Sequence, residues 1–266
     1  MQQTHIFLPP KHDLVATRLT YKQVYDTDGN ILQSIDDLML PSLLAQVSAL
    51  LRSKPITVTE VGCGTGRNTL KLLAPSQLPQ ITTLAALDLS PAMLAVAKQR
   101  CEDHLKANSN SLQAAPQIEF HEFDALNTDL SPEIKALEGK TDLVLSTLVL
   151  EHLPLDTFFR TVKMFLKPGG YVLLTNMHAD MGRISQAGFV DEGTGEKIRG
   201  LSYAHEISEV VEEGTRWGFE VVGEVDERAI ESADVGTVVG DRGKKWVGVN
   251  VWFGFVMRLS QTGKQA

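Results

Sequence analysis

The sequence is poor in cysteine, in basic residues and in long apolar runs. Its 266 residues include two cysteines, Cys63 and Cys101. These are too few to hold a metal ion alone, so we predict no metal site and a reducing, cytoplasmic setting. Lys and Arg number 25 against 33 Asp and Glu, and the net charge of −8 argues against a general nucleic-acid binder. No apolar run approaches the roughly 18 residues of a membrane span, and we expect no signal peptide.

The chain length predicts one domain, because single domains usually hold about 100 to 200 residues. Hydrophobic residues make up 43% and charged residues 22% of the sequence, as in ordinary globular proteins. A helical pattern runs over residues 34–51 near the N-terminus. Ser34 and Asp37 have the spacing of a capping box for it, and Pro41 fits best in the first turn of a helix that continues to Leu51.

Short strands and helices then alternate up to Met177. This rhythm predicts βαβ connections and a parallel sheet. The predicted strands are ITVTEVGC, TTLAALDLS, QIEFHEFDA, TDLVLSTLVL and YVLLTNM. The predicted helices are RNTLKLLAP, PAMLAVAKQRCEDHLKAN and LDTFFRTVKMFL, and KPGG is a predicted turn before the fifth strand.

The pattern loosens after Met177. Residues 178–203 are polar and glycine-rich, and their length suits a lid or a substrate cover. A helix follows in EISEVVEEGTRWG, and two further strands are predicted in FEVVGEVDERAI and KWVGVNVWFGFVMRLS. Because a turn joins these two strands, we expect them to pair antiparallel and to bring the sheet to seven strands.

Three glycines at alternate positions, Gly62, Gly64 and Gly66, follow the first predicted strand in TVTEVGCGTGRNT. Such a loop lets a backbone approach a ligand closely. A Walker loop is disfavoured because no Lys-Ser or Lys-Thr directly follows the three glycines. A dinucleotide loop needs G-x-G-x-x-G, and its third glycine would fall on Arg67, where a large side chain is a poor substitute.

The spacing E-x-G-x-G-x-G resembles motif I of the class I S-adenosylmethionine-dependent methyltransferases. Asp88 ends the second strand in LAALDLS, where that family places an acid, and the SPAML that follows is similar to the branch of ubiquinone and menaquinone biosynthesis enzymes. The segments FHEFDA, DLVLSTLVLEHL and LKPGGYVLLTN also resemble the family's later motifs. The resemblance in sequence covers about Val58 to Met177. The rest of the chain resembles the family only in its predicted architecture.

The resemblance implies S-adenosyl-L-methionine as the cofactor. Gly62 and Gly64 would let the backbone pass its methionine part and ribose, and Glu60 would balance its ammonium group. Amides near Arg67 suit its carboxylate, and Asp88 suits the ribose hydroxyls. Asp124 and the Ala125 amide would contact the adenine. Further predicted contacts with the cofactor are Tyr25, Cys63, Leu89, Met93 and Ser146, of which Tyr25, Cys63 and Met93 have packing as their alternative role.

The resemblance also implies the fold: an α/β, Rossmann-like, seven-stranded and mostly parallel sheet with an antiparallel C-terminal hairpin and helices on both faces. We expect residues 1–52 to form a helical cap over the cofactor site. Residues 53–177 would form the cofactor-binding core. Residues 178–260 would complete the same domain with the lid segment, the last helix and the hairpin.

Methyl transfer depends largely on positioning the acceptor in a dry pocket, and an acceptor that loses a proton benefits from a base such as histidine. The candidate bases are His152, His178 and His205. The alternative role is a helix start for His152 and a helix cap for His205. Leu148, His152 and Tyr203 are the candidates for the substrate pocket.

The fourth predicted strand ends in Ser146-Thr147-Leu148-Val149. It lacks the motif of Asp, Asn or Ser, two prolines and an aromatic residue that marks many enzymes acting on amino nitrogens, including those of nucleic acids. We therefore expect a small-molecule acceptor and no nucleic-acid partner. The sequence does not indicate whether the methylated atom is O, N, S or C. We expect a monomer or a homodimer. The alternatives are a protein or RNA acceptor, hinted at only by Gly243–Lys245, and a protein of this fold that transfers no methyl group.

Overall fold

A computed structural model describes residues 29–51, 55–74, 78, 81–108, 116–184, 188–190, 197–199 and 202–261. The helices are α1 (Ile31–Leu51), α2 (Arg67–Leu72), α3 (Pro91–Ala107), α4 (Pro132–Lys135), α5 (Leu155–Phe165), α6 (Ala179–Ile184) and α7 (Ile207–Arg216). The strands are β1 (Ile56–Val61), β2 (Ile81–Asp88), β3 (Gln117–Glu122), β4 (Thr141–Thr147), β5 (Leu166–Met177), β6 (Gly188–Val190), β7 (Lys197–Arg199), β8 (Phe219–Ala229) and β9 (Asn250–Leu259). Short 3-10 turns cover Leu150–His152, Ser232–Asp234 and Asp241–Trp246.

Seven strands form one twisted sheet in the order β3-β2-β1-β4-β5-β9-β8. The first five strands in this order are parallel to one another, whereas β9 runs antiparallel to both β5 and β8. Helices cover both faces: α1 packs with one hydrophobic cluster, and α5 and α7 pack with another. The predicted Rossmann-like fold with its antiparallel hairpin is therefore confirmed.

The long helix α1 begins earlier than the sequence predicts. Asn30 caps it, since its side-chain oxygen accepts the backbone N–H of Leu32 at 3.0 Å. The predicted capping box at Ser34 is therefore wrong. Pro41 lies inside the helix rather than in its first turn, on the exposed side, where losing one backbone hydrogen bond disturbs the packing least.

By length and composition alone, α1 could cross a membrane, which the sequence-based count of apolar runs did not anticipate. In the folded chain its apolar face is buried against the sheet, with Leu43, Leu44 and Val47 in the same cluster as Trp252 of β9. The helix therefore has a packing role within the domain.

Two strand boundaries also differ from the prediction. The predicted turn KPGG lies within β5, where the pairing with β4 skips from Leu166 to Tyr171. The last strand begins at Asn250, because the residues from Asp241 to Trp246 form a 3-10 turn. The alternation predicted along this strand does not separate two environments, since Val251 to Met257 are all buried.

The segment predicted as a lid contains regular structure. Helix α6 directly follows His178, and β6 and β7 pair antiparallel as a separate two-stranded sheet. The remaining residues up to Leu201 lie outside the described part of the chain. The division into cap, core and completing segment stays a prediction.

Candidate functional site

The candidate site lies where the parallel strands end. The glycine loop follows β1, and it is held to the neighbouring strand because the amides of Gly62 and Cys63 donate to the carbonyl oxygen of Leu87 at 2.8 and 2.9 Å. Gly62, Gly64 and Gly66 all have positive φ, at 78°, 54° and 81°. The sequence folds into this tight loop because glycine adopts such angles without a side-chain clash.

Each glycine of the loop has a different reason to lack a side chain. A Cβ on Gly62 would lie 2.2 Å from Cγ2 of Val149, and one on Gly66 would lie 3.0 Å from Cα of Ala97 in α3. Nothing lies within 4 Å of the Cβ position of Gly64. Gly62 and Gly66 thus permit close packing, while Gly64 borders open space.

That space is a cavity beside the loop, and it brings together six of the predicted site residues. Glu60 and the loop form one side, and the beginning of α2 and the end of β4 form the other. The predicted residues that line the cavity are Glu60, Gly62, Cys63, Gly64, Arg67 and Leu148. Four lining residues were not predicted, namely Gln33, Thr65, Asn68 and Thr147.

Asp88 lies at the end of β2 and is fixed against the glycine loop. Its Oδ2 accepts the amide of Gly64 at 2.9 Å and its Oδ1 accepts the amide of Ser90 at 2.8 Å. Each carboxylate oxygen has two acceptor positions. The backbone therefore orients the carboxylate, which is the type of group that binds a hydroxyl pair.

Glu60 is a buried carboxyl group at the cavity. Burial raises its pKa, while the hydrogen bond from Oγ1 of Thr69 at 2.5 Å and the charge of Arg67 lower it, and the result is a pKa of about 7. A cation placed in the cavity would favour the ionised form. Glu60 is thus suited to binding an ammonium group.

The side chain of Arg67 is bound to α1. Its Nη2 donates to Oδ2 of Asp36 at 2.8 Å, and its Nη1 pairs with Asp37. Two carboxylates therefore bind the guanidinium group. The predicted contact with the cofactor carboxylate then falls to the backbone of Arg67 and not to its side chain. The same ion pairs hold α1 against the beginning of α2.

Asp36 is the centre of this contact between α1 and the site. It is fully buried, and its two oxygens accept hydrogen bonds from Thr175 (2.6 Å), Trp252 (3.0 Å), Arg67 (2.8 Å) and Asn68 (3.1 Å). Burial would raise its pKa, but the charge of Arg67 and these hydrogen bonds outweigh burial and lower it. Asp36 is therefore a buried anion that connects α1, α2, β5 and β9.

The other predicted cofactor contacts are dispersed around the loop. Leu89 is 44% exposed beside Asp88, whereas Met93 is buried in α3. Asp124 and Ala125 follow β3, and Oδ1 of Asp124 accepts the amide of Leu126 at 2.9 Å. Tyr25 lies outside the described residues.

Two buried side chains near the loop, those of Ser146 and Cys63, are uncharged. The Ser146 hydroxyl on β4 has no hydrogen-bond partner among the described residues. Burial raises the pKa of the Cys63 thiol. Cys63 therefore remains a neutral packing residue rather than a nucleophile.

His178 follows β5 and faces the antiparallel edge of the sheet. Its Nδ1 accepts the amide of Asp180 at 3.1 Å, so Nε2 carries the proton and donates to Oε2 of Glu227 on β8 at 2.9 Å. The ring also contacts Phe253 edge to face. Both ring nitrogens are thus engaged by groups that lie outside the glycine loop.

His152 and His205 lie near the end of β4. His152 is exposed at the end of a 3-10 turn. His205 is buried and stacks on Tyr203 with ring centres 5.2 Å apart. Its Nε2 donates to the carbonyl oxygen of Leu153 at 2.9 Å, which leaves Nδ1 as the acceptor nitrogen of the neutral ring.

Leu148 joins this region to the cavity. Its φ of 55° is the only positive value at a non-glycine residue among those that the structure describes. Its amide is held by the carbonyl oxygen of Thr175 at 2.9 Å. Strain of this kind collects at binding sites because the surrounding contacts impose it.

Across the described ranges, no group of three or more His, Cys, Asp or Glu residues is arranged to hold a metal ion. The charged groups of the site are instead Glu60, Asp88, Arg67 and Asp36. Such a set suits an organic ligand that carries hydroxyl and ammonium groups.

Comparison with known proteins agrees with this geometry. Residues 59–172 match the family described as a methyltransferase domain. An uncharacterised methyltransferase of Emericella nidulans is 40% identical over 258 residues, which cover 88% of this chain and 86% of the relative.

Solved structures of the same fold are more distant in sequence. The cyclase SpnF has a TM-score of 0.59 at 15% identity, over 97% of this chain and 100% of its own. The N-methyltransferase NodS from Bradyrhizobium japonicum, in complex with S-adenosyl-l-homocysteine, has a TM-score of 0.52 at 19% identity, over 83% of this chain and 85% of its own. The chain therefore belongs to the class I S-adenosylmethionine-dependent methyltransferases.

Proposed function

We propose that the protein transfers a methyl group from S-adenosylmethionine to a small-molecule acceptor by in-line displacement. The observation that carries the proposal is the cavity at the end of β1, where a buried carboxyl (Glu60), an oriented carboxylate (Asp88) and the open space at Gly64 meet. The cofactor, when bound, supplies an electrophilic methyl group on a sulfonium.

The residues of the cavity fit this cofactor by charge and by space. Glu60 binds its ammonium group, and Asp88 accepts hydrogen bonds from its ribose hydroxyls. Gly64 leaves room for it, because a Cβ there would meet no protein atom within 4 Å. Asp124 and Ala125 contact the adenine, and the cavity contains no basic side chain free of ion pairs that would select a pyrophosphate, since Arg67 is bound to two carboxylates.

Calorimetric titration with S-adenosylmethionine and, separately, with NAD tests the proposed function. We expect micromolar binding of the first and none of the second. Asp88→Ala is the matched variant and should bind S-adenosylmethionine roughly 10- to 100-fold more weakly, because hydrogen bonds to a charged group are lost. Binding of NAD alone would refute the assignment, and methyl transfer from labelled cofactor to a panel of small molecules would then identify the acceptor.

Cofactor affinity is expected to depend on pH through Glu60. Below its pKa of about 7 the group is protonated and loses its attraction for the ammonium, so binding should strengthen as the pH rises. Between pH 5.5 and 7 we expect a gain on the order of tenfold, since each pH unit below a pKa changes the ionised fraction about tenfold.

Titration calorimetry at several pH values measures this gain. Glu60→Gln should bind more weakly and show a flat profile over the same range. A wild-type profile that is equally flat would exclude Glu60 as the ammonium partner.

Among the three candidate bases we propose that His205 takes the proton of the acceptor. Its Nε2–H is held by Leu153, so Nδ1 is left to accept a proton, whereas both nitrogens of His178 are engaged. His205→Gln should lower kcat by roughly 100-fold or more, the usual contribution of a general base. His178→Gln is the control and should retain most of the activity, because glutamine can still donate to Glu227. The reverse ranking would make His178 the base.

A protein or RNA acceptor is the runner-up. The sequence feature that favours such an acceptor is the pair of lysines in Gly243–Lys245, which lies in the 3-10 turn between β8 and β9. Lys244 pairs with Asp241 at 2.8 Å, and Lys245 lies over the ring of Trp246. Both are therefore engaged locally. The third candidate function is chemistry without methyl transfer. The cyclase SpnF has a similar fold, and this likeness concerns the fold alone. The labelled-methyl assay distinguishes this candidate from a methyltransferase.

A further inference from the structure

Glu151 is a buried carboxyl whose charge the fold does not use. It sits in the 3-10 turn that follows β4, and the residue is 8% exposed. Its Oε2 is buried and has no hydrogen-bond partner in the part of the chain that the structure describes. Burial raises its pKa, with the charge of His152 opposing.

The backbone of Glu151 is held on both sides. Its amide donates to Oδ1 of Asn176 at 3.2 Å, and its carbonyl oxygen accepts the amide of Tyr203 at 2.8 Å. Asn176 belongs to β5, and Tyr203 precedes α7. The backbone of Glu151 is therefore fixed by two elements, while Oε2 of its side chain makes no hydrogen bond with a described residue.

Such a group is unfavourable for stability. A buried carboxyl oxygen without a partner costs free energy, because it has lost its hydration and gained no hydrogen bond in exchange. A carboxyl that served the fold would be paired, as Asp36 is with Arg67. The unpartnered oxygen of Glu151 therefore indicates a partner that arrives with a ligand.

The surroundings of the turn indicate which ligand. Leu148, three residues earlier, lines the cavity beside the glycine loop. On the other side, Tyr203 and His205 stack in parallel, and His205 is bonded to Leu153 just after the turn. The turn that carries Glu151 thus connects a residue of the proposed cofactor cavity, Leu148, with the carbonyl group of Leu153 that holds the proposed base.

We propose that Glu151 recognises the methyl acceptor by hydrogen bonding to a hydroxyl or amine group on it. The acceptor class is then a compound with an apolar or aromatic body, which Leu148 and Tyr203 contact, and with an O–H or N–H beside the atom that is methylated. A hydroxyl or neutral amine satisfies Oε2 in either of its protonation states, because such a group both donates and accepts. This inference rests on the proposed function and specifies its acceptor.

The test compares wild type with Glu151→Gln, Glu151→Leu and the exposed control Glu138→Gln. Each protein is saturated with S-adenosylhomocysteine and titrated, by saturation-transfer NMR, with the probe pairs phenol and anisole, and aniline and N,N-dimethylaniline. In wild type the hydroxyl or amine member should bind roughly two- to tenfold more tightly, the net value of one hydrogen bond. This preference should disappear in Glu151→Leu, weaken in Glu151→Gln and persist in Glu138→Gln.

Two further measurements separate recognition from a structural role. The denaturation midpoints of Glu151→Gln and Glu151→Leu should equal or exceed that of wild type, and cofactor affinity should stay within about twofold, because no contact within the protein is lost. Absence of a preference in wild type, or its persistence in both Glu151 variants, would overturn the proposal. So would a joint loss of stability and cofactor affinity. Failure of wild type to bind S-adenosylmethionine is a separate result, and it refutes the proposed function instead.

Discussion

Replacing Gly62 with alanine is expected to lower the free energy of unfolding by about 2–5 kcal/mol and to abolish cofactor binding. Its φ is 78°, a conformation that costs an L-residue about 1–2 kcal/mol. The added Cβ would also lie 2.2 Å from Cγ2 of Val149, and crowding of this kind costs about 1–3 kcal/mol. Valine is stiff about χ1 and cannot easily turn away.

The effect should extend beyond the loop itself. Val149 precedes the 3-10 turn that carries Glu151 and His152, so a displaced Val149 would move the proposed acceptor site together with the cofactor site. Urea denaturation and calorimetric titration with S-adenosylmethionine measure the two consequences separately.

Gly64→Ala is the matched control. Its φ of 54° carries the same kind of conformational cost, about 1–2 kcal/mol, but its Cβ would meet no atom within 4 Å. It should therefore lose far less stability than Gly62→Ala while still losing cofactor affinity, because the methyl group would enter the proposed cofactor space. Equal stability of the two variants would show that Val149 yields without cost.

Replacing Asp36 with alanine is expected to destabilise the protein by about 3–5 kcal/mol, the usual result of removing one partner of a buried ion pair. The indole N–H of Trp252 and the hydroxyl of Thr175 would lose their acceptor. Of its two carboxylate partners, Arg67 would keep the exposed one, Asp37. Gln33, Arg67 and Asn68 line the cavity, so cofactor affinity should fall as well.

Asp37→Ala provides the contrast one residue along the same helix. The Asp37 side chain is 46% exposed, and its ion pairs with Arg67 and Lys71 are solvent-screened. Its removal should cost less than about 1 kcal/mol. Chemical denaturation of both variants measures the two losses in the free energy of unfolding. Similar losses would mean that burial and the hydrogen bonds of Asp36 contribute little to stability.

The sequence predicts the catalytic end of the sheet well, because the constraints there are local. Alternate glycines require positive φ in a single loop, and Asp88 is placed by the end of its strand. The seven-stranded, mostly parallel sheet with its antiparallel hairpin follows from the family resemblance, and the structure confirms it. The position of each of these groups depends on a few neighbouring residues, so a short pattern suffices.

Contacts between distant segments were not predictable in this way. Asp36 has the sequence context of a surface helix residue, and only its partners in β5 and β9 reveal it as a buried anion. Pro41 was expected to begin a helix because local rules place proline there, yet Asn30 caps the helix further upstream. Glu151 carries no sequence signal at all, since its unpartnered oxygen is visible only from the packing around it.

The strand order of the sheet also governs how the chain folds during its synthesis. β8 is made before β9, yet it joins the sheet only through β9, which lies between it and β5. Asp36 must likewise wait for Trp252, 216 residues later, and contacts over such separations form slowly. Until Trp252 is made, the part of the apolar face of α1 that packs against β9 has no cover, and transiently exposed apolar surface makes unfinished chains prone to aggregation. The helix that leaves the ribosome early is thus among the last elements to be anchored.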